Sequence, residues 1–111
     1  MTYRDYAMEL LEPVGDVTIR AMFGGYGIFE SGDMFALISR DERIYFKVDD
    51  TNRADYEVAG AEQFKPMPYY EAPEEVLADE ESFVEWAGRS IAIAHSAATG
   101  KKRRGRQKRQ R

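Results

Sequence analysis

The sequence predicts a two-layer α+β domain, in which an antiparallel sheet of about five strands is packed by helices in the order α-ββββ-α-β-α. Three observations predict it. Apolar residues at helical spacing open the chain, the next region alternates apolar and polar residues with period two, and a long helical pattern returns near the end. Short turn signals separate the middle segments, which indicates a meander of antiparallel strands.

Helical patterns occur in three places. The first helix is predicted over Tyr3–Leu11, because its apolar residues fall at helical spacing and form one stripe. A second is predicted over residues 52–59, with Asp49 or Asp50 as its cap. The last helix is predicted over residues 80–98, where small and aromatic residues recur every three or four positions.

Strand patterns fill the region between the first two helices. Four strands are predicted over residues 17–23, 26–30, 34–39 and 44–48, and a fifth extended segment over residues 64–71. In the fourth strand, alternation predicts that Phe46 enters the core while Tyr45 and Lys47 point to the opposite face.

Composition narrows the class of protein. The chain has 111 residues, of which 43% are hydrophobic and 13% aromatic, enough for a core without metal or disulfide support. Cysteine is absent and His95 is the one histidine, which excludes disulfides, thiolate zinc sites and multi-histidine centres. We therefore predict no metal, cofactor or catalytic residue. Without a signal-peptide pattern or an apolar run of membrane length, we expect a cytoplasmic protein with no membrane partner.

Charge divides the chain into two parts. Residues 1–100 carry 8 Lys/Arg and 20 Asp/Glu, a net charge of −12, whereas residues 101–111 carry 8 Lys/Arg and no acid. No apolar residue follows Ala98, so nothing anchors the basic segment to a core. The sequence therefore predicts a folded domain over residues 1–98 and a disordered basic tail over residues 99–111.

The tail is a candidate site for nucleic acid. Its cations can neutralise phosphates and release counterions without a folded site. A solubilising tail, or one that folds back on the acidic body, is the alternative. The candidate residues are Lys101, Lys102, Arg103, Arg104, Arg106, Lys108, Arg109 and Arg111.

Four motifs in this order resemble the TfoX amino-terminal domain family, over about Tyr6 to Ala97. They are Met22-Phe23-Gly24-Gly25-Tyr26-Gly27, Met34-Phe35-Ala36-Leu37, Tyr45-Phe46-Lys47-Val48-Asp49, and Met67-Pro68-Tyr69-Tyr70 with Pro73 shortly after. The resemblance implies an antiparallel sheet with packed helices, similar to secretion-chaperone-like domains, and no established catalytic residues.

The resemblance also implies a biological setting. The founding members of the family regulate natural competence in bacteria together with a cyclic-AMP-responsive transcription factor, and they carry a second, helical domain. The present sequence has the basic tail in that place, so we expect a stand-alone, single-domain member. Its oligomeric state is open.

Each motif also has a structural interpretation. The glycines of Gly24-Gly25 could let backbone N–H groups approach a phosphate, but a strand follows them instead of the helix that a phosphate loop needs. A hairpin turn is therefore favoured. His95, near the predicted end of the last helix, suits the negative end of the helix dipole better than a catalytic role. Acidic pairs such as Glu74-Glu75 stand where helices start and are interpreted as capping residues.

Aromatic and basic residues of the sheet form a candidate partner surface. Its residues are Arg20, Tyr45, Lys47, Tyr69 and Tyr70. An open face of this kind could bind nucleic acid, with bases stacked on tyrosine, but the acidic body disfavours a polyanion. The Met67–Tyr70 segment is interpreted as a structural sheet edge or as the rim of a ligand groove. At most one of its two adjacent tyrosines can be a core residue, and the other is expected to be an amphipathic contact residue.

Two functions remain open from the sequence. The first is a non-enzymatic regulatory or adaptor module that binds a protein partner, such as a transcription factor, and uses its tail for weak attraction to nucleic acid. The second is a small-ligand-binding domain or an enzyme that uses a groove near the Met67–Tyr70 segment. The first is favoured, because no nucleophile–base pair or metal cluster is recognisable.

Overall fold

The computed structural model describes the backbone of residues 2–22 and 24–109, and the side chains of residues 2–22 and 24–98. Over these residues the chain forms one five-stranded sheet and four α-helices. The helices are α1 (Tyr3–Leu11), α2 (Arg53–Val58), α3 (Glu74–Leu77) and α4 (Glu80–Arg109), and the strands are β1 (Val17–Met22), β2 (Gly25–Glu30), β3 (Asp33–Ile38), β4 (Ile44–Lys47) and β5 (Tyr69–Glu71). The predicted α+β class is confirmed.

The sheet is an antiparallel meander in the order β1-β2-β3-β4-β5. Its register is interrupted once, between β2 and β3, where Ile28 pairs with Ala36 but Phe29 pairs with Met34. Phe35 is the extra residue of this bulge. The bulge therefore allows Phe35 and Ala36, although adjacent, to enter the same core.

The main core lies between the sheet and the helices. It includes Phe46 from β4, Tyr56 from α2 and Phe83 from α4, each no more than 1% exposed. The rings of Phe46 and Phe83 lie 5.4 Å apart between centroids. The predicted inward position of Phe46 is therefore confirmed, and all four helices pack on this one face of the sheet.

A second, smaller cluster covers part of the opposite face. Leu37, Tyr45 and Tyr69 are buried there, and Phe64 and Met67 pack over them from the segment between α2 and β5. This segment is tied to β5, because the Phe64 backbone N–H donates to the carbonyl oxygen of Tyr69 at 2.8 Å. The fold therefore buries apolar side chains on both faces of β3 and β4.

The first two helices begin at local caps, with one difference from prediction. At α1, Thr2 and Asp5 form the predicted capping box. At α2, the cap is Asn52, whereas Asp49 accepts a hydrogen bond from the backbone of Thr51 within the preceding turn. The prediction of Asp49 or Asp50 as this cap is wrong. Both residues lie in the turn before the helix, where the Asp49 carbonyl accepts from the Arg53 backbone N–H and the Asp50 carboxylate pairs with the Arg53 side chain.

The last helix continues beyond Ala98, where the sequence predicted its end, and its backbone extends to Arg109. Lysine, arginine and glutamine are favourable helix residues, which is consistent with the continuation. The side chains of residues 99–111 lie outside the described residues, so the domain boundary near Thr99 and the disorder of the free tail stay predictions. Over the described ranges, no helix combines the length and the apolar character that crossing a membrane requires.

Candidate partner-binding groove

The predicted partner surface is not one continuous patch. Cross-strand pairing places Arg20, Gly27, Leu37 and Tyr45 in one row across β1 to β4, so Arg20 and Tyr45 do share a face. Three strand spacings separate them, however, which is about 14 Å. The Arg20 guanidinium instead lies 4.3 Å from the ring centroid of its neighbour Phe29.

Tyr45 and Tyr69 are not exposed contact residues, which corrects that part of the predicted surface. Tyr45 is 7% exposed and Tyr69 is 3% exposed. The ring of Phe64 packs against Tyr45. The hydroxyl of Tyr69 donates a hydrogen bond to the backbone carbonyl of Met34 at 3.2 Å. Burial raises the pKa of Tyr69 to about 12. Lys47 is half-buried, with its Nζ atom 5.7 Å from the Tyr69 ring centroid. An open, base-stacking face is therefore absent at these side chains.

Tyr70 points to the opposite face and joins the main core, where its ring lies 5.8 Å from that of Tyr56. Both adjacent tyrosines thus pack into cores, which the sequence argument allowed for only one of them. The sheet is covered on both faces here, so the two tyrosines enter two different clusters. Tyr69 and Tyr70 of the Met67–Tyr70 segment are accordingly structural, and the ligand groove beside the segment stays a prediction.

The glycine motif forms a hairpin, as predicted, and the surrounding atoms explain the two glycines. Gly24 has a φ of +77°, and a Cβ there would lie 2.8 Å from the Arg40 guanidinium. At Gly25, a Cβ would lie 2.0 Å from the carbonyl oxygen of Ile38. The close approach of β2 to the end of β3 therefore requires glycine at position 25. Met22 ends β1 and Phe23 lies outside the described residues.

We expect Gly25→Ala to lower the free energy of unfolding by about 1–3 kcal/mol, because the new methyl group must displace backbone. Gly88→Ala is the matched control, since Gly88 is an exposed position within α4 with open space around it. That change should raise stability by about 0.5–1 kcal/mol, the helix-propensity difference. Urea unfolding of both variants measures these changes in the free energy of unfolding. Equal shifts in the same direction would contradict the packing argument.

The described surface contains an apolar groove between α2, α3 and α4, which the sequence analysis did not predict. It has a volume of about 580 Å³. Val58 stands at its edge with 90% of its surface exposed. The lining residues come from three separate segments: Asp55, Val58, Ala59, Pro73, Glu75, Val76 and Trp86.

Trp86 gives the groove a fixed aromatic wall. Its ring meets the buried ring of Tyr56 edge-on, with 4.8 Å between centroids. Beside it, the Arg89 guanidinium donates to Asp55 at 2.6 Å and to Glu85 at 3.3 Å, and the Asp55 contact raises the pKa of Arg89. The Trp86 ring is therefore held in place by packing, while part of it faces the groove. Binding pockets that are formed before a ligand binds have walls of this kind.

The Tyr56 hydroxyl is a polar group without a described partner. It is buried and makes no hydrogen bond within the described residues, and burial raises its pKa. The Tyr56 side chain, with Asn52 and Trp86, lines a narrow space next to the groove. A buried hydroxyl of this kind is uncommon in folded proteins.

His95 has a different role from the one predicted. Because α4 continues to Arg109, His95 lies within the helix rather than at its end. Its two ring nitrogens lie 2.7 Å from a carboxylate oxygen of Asp33 and 2.6 Å from one of Glu30. These hydrogen bonds raise the pKa of His95. The imidazolium therefore connects α4 to the β2–β3 hairpin.

We expect this contact to make stability depend on pH. Because the pKa of His95 is higher in the folded chain, its contribution is complete below the ordinary value of 6.5 and is lost as the pH rises through the raised pKa. His95→Gln should therefore lower the urea midpoint more at about pH 6 than at about pH 9, by less than about 1 kcal/mol in stability, as for exposed ion pairs. An equal loss at both values would contradict the ionic role.

The acidic pairs are located where helices start. Glu74 and Glu75 are in the first turn of α3, and Glu80 and Glu81 are in that of α4, whose Ser82 backbone N–H donates to the Asp79 carboxylate at 2.9 Å. Within the part of the chain whose side chains are described, His, Asp and Glu residues form no three-membered metal-binding group. The eight candidate cations of the tail lie outside that part.

The comparison with protein families gives a match over most of the domain. The family model described as TfoX N-terminal domain matches residues 9–94, which include β1 to β5 and the lining of the groove and end one residue before His95. A search of curated proteins finds no significant match. Because the family match covers most of the 111 residues, the chain belongs to the TfoX N-terminal domain family.

Proposed function

We propose that this chain is a non-enzymatic regulatory or adaptor module that binds another protein through the groove between α2, α3 and α4. The family is one of competence-type regulators, and membership supports a regulatory role. The observation that carries the proposal is the exposed Val58 beside Trp86. An almost fully exposed aliphatic side chain at the edge of an aromatic-walled groove offers area that a partner can bury.

Aromatic residues at such sites supply much of the binding energy when a partner excludes water around them. Trp86 is held by Tyr56, so little side-chain freedom is lost on binding. We further propose that the partner is a component of transcriptional regulation. The basic tail adds weak attraction to nucleic acid that does not depend on sequence.

The test is capture of proteins from native lysate by the tagged full-length chain, with and without nuclease. We expect at least one protein that is still captured after nuclease treatment and is lost with Val58→Ser. Met8→Ser is the matched control, because Met8 is an exposed large apolar side chain on α1 and does not line the groove. A captured set that is identical for all three chains would contradict the groove as the partner site.

A further inference from the structure

We propose that the groove binds a short basic protein segment that carries at least one large apolar side chain. The inference rests on the proposed function, since it specifies the chemistry of the partner at the same site. It depends on two adjoining depressions of the surface, one apolar and one acidic, and on the ion pairs around them.

The apolar depression is the groove itself. Val58, Val76 and Trp86 line it, and it is an open depression of about 580 Å³, large enough to receive a side chain of a partner. Burial of one aliphatic side chain there would remove Val58 and the Trp86 ring from water at the same time. The partner segment therefore needs an apolar anchor.

The acidic depression continues from the groove across the shared residues Ala59 and Pro73. It has a volume of about 340 Å³, and its charged lining residues are Glu62, Glu71, Glu74 and one cation, Arg43. Glu75 lies in the groove on the other side of Pro73. Carboxylates therefore follow the path that a bound segment would take after its anchor.

The nearby cations do not balance these carboxylates. Arg43 contacts both Asp41, at 3.1 Å, and Glu71, at 3.2 Å. Arg89 likewise contacts two carboxylates, those of Asp55 and Glu85. Each arginine is thus shared by two acids, which leaves the surface with an excess of negative charge, and a cationic segment is the complementary partner.

The same charge distribution disfavours two other occupants. A nucleic acid would be repelled by the acidic depression and by the net charge of −12 over residues 1–100. The chain's own tail has the required charge, but no apolar residue follows Ala98, so it has no anchor for the groove. A segment of another protein meets both requirements.

The experiment uses the full-length chain and the fluorescence of Trp86, its one tryptophan. The probes are a tryptophan-free amphipathic peptide of leucine and lysine, its leucine–glutamate counterpart, an oligolysine, and a synthetic peptide of residues 101–111. We expect a saturable change in emission with the leucine–lysine peptide, weakened by salt, no binding of the glutamate peptide, and at least tenfold weaker binding of the other two.

Variants locate the binding. Val58→Ser should weaken binding of the leucine–lysine peptide about tenfold, the loss expected for one buried aliphatic side chain. Glu75→Lys should weaken it about threefold at low salt. Glu81→Lys is the matched control, because Glu81 is exposed in the first turn of α4 and lines neither depression, and it should leave affinity unchanged. Urea midpoints of all variants verify folding.

The outcomes separate this inference from the proposed function. Equal affinity for the glutamate peptide, for oligolysine or for the tail peptide would overturn the inference, as would unchanged affinity in Val58→Ser. If the leucine–lysine peptide fails to bind while Val58→Ser still abolishes protein capture, the groove is a partner site of other chemistry. If Val58→Ser changes neither the affinity for the leucine–lysine peptide nor the set of captured proteins, both proposals are wrong.

Discussion

Phe46→Ala should destabilise the domain by about 3–5 kcal/mol, the usual cost of truncating a buried phenylalanine. Phe46 is fully buried, pairs with Ala36 and Tyr70 on the neighbouring strands, and packs on Phe83 of α4. Removal of its ring would leave a cavity at the contact between the sheet and the longest helix. A small domain has total stability of about 5–15 kcal/mol, so the loss should appear as a large fall in the urea midpoint.

Lys47→Ala is the matched control one position along β4. Its side chain points to the other face, and its main described contact is that of Nζ with the Tyr69 ring, worth about 0.5–1 kcal/mol at partly exposed sites. The backbone carbonyl of Lys47, which accepts a hydrogen bond from the Ser90 hydroxyl at 2.8 Å, is retained. Similar urea midpoints for the two variants would mean that the faces of β4 are assigned the wrong way round.

Local patterns predicted most of the fold. Helix α1 begins and ends at the predicted residues, because its capping box and apolar stripe are contained within one short segment. The period-two alternation predicted the direction of Phe46, since the face of a strand residue depends only on its neighbours in sequence. Tight turns between strands then determined the meander order.

Contacts between distant segments were not predictable in this way. Tyr45 and Tyr69 are buried because Phe64 and Met67 fold over the sheet, and alternation says nothing about what covers a face. The groove requires Val58, Pro73 and Trp86 to meet from three helical regions. Apolar residues beside the prolines of the segment before β5 were the one available signal for the covering segment.

His95 illustrates the same limit. Its partners Glu30 and Asp33 are more than sixty residues away in sequence, and they are brought to it by the packing of α4 on β3. The sequence offered a helix end as the only local source of negative charge. The structure instead supplies two carboxylates on either side of a hairpin turn.

Removal of the basic tail should abolish nearly all affinity for nucleic acid. Its eight cations are half of the sixteen Lys/Arg residues in the chain, and the other eight belong to a region with 20 carboxylates. If all eight met phosphates on duplex DNA, log K would fall against log salt with a slope of about −7, and fewer contacts would give a smaller slope. Binding should be weak and indifferent to sequence, because phosphate contacts carry no base information.

The acidic body opposes this attraction in two ways, since it repels the polyanion and competes for the tail. At low salt the attraction of the tail should prevail, because the tail can contact phosphate directly while the acidic body stays farther from the polyanion. The measurement is a salt titration of binding to duplex DNA and to single-stranded RNA. Three proteins are compared: the full-length chain, a chain truncated after Thr99, and a full-length chain in which glutamine replaces the eight cations of the tail. Equal affinity of all three would make the tail hypothesis wrong. Absence of binding at low salt would leave the tail as a solubilising or intramolecular segment, and the groove as the means of partner recognition.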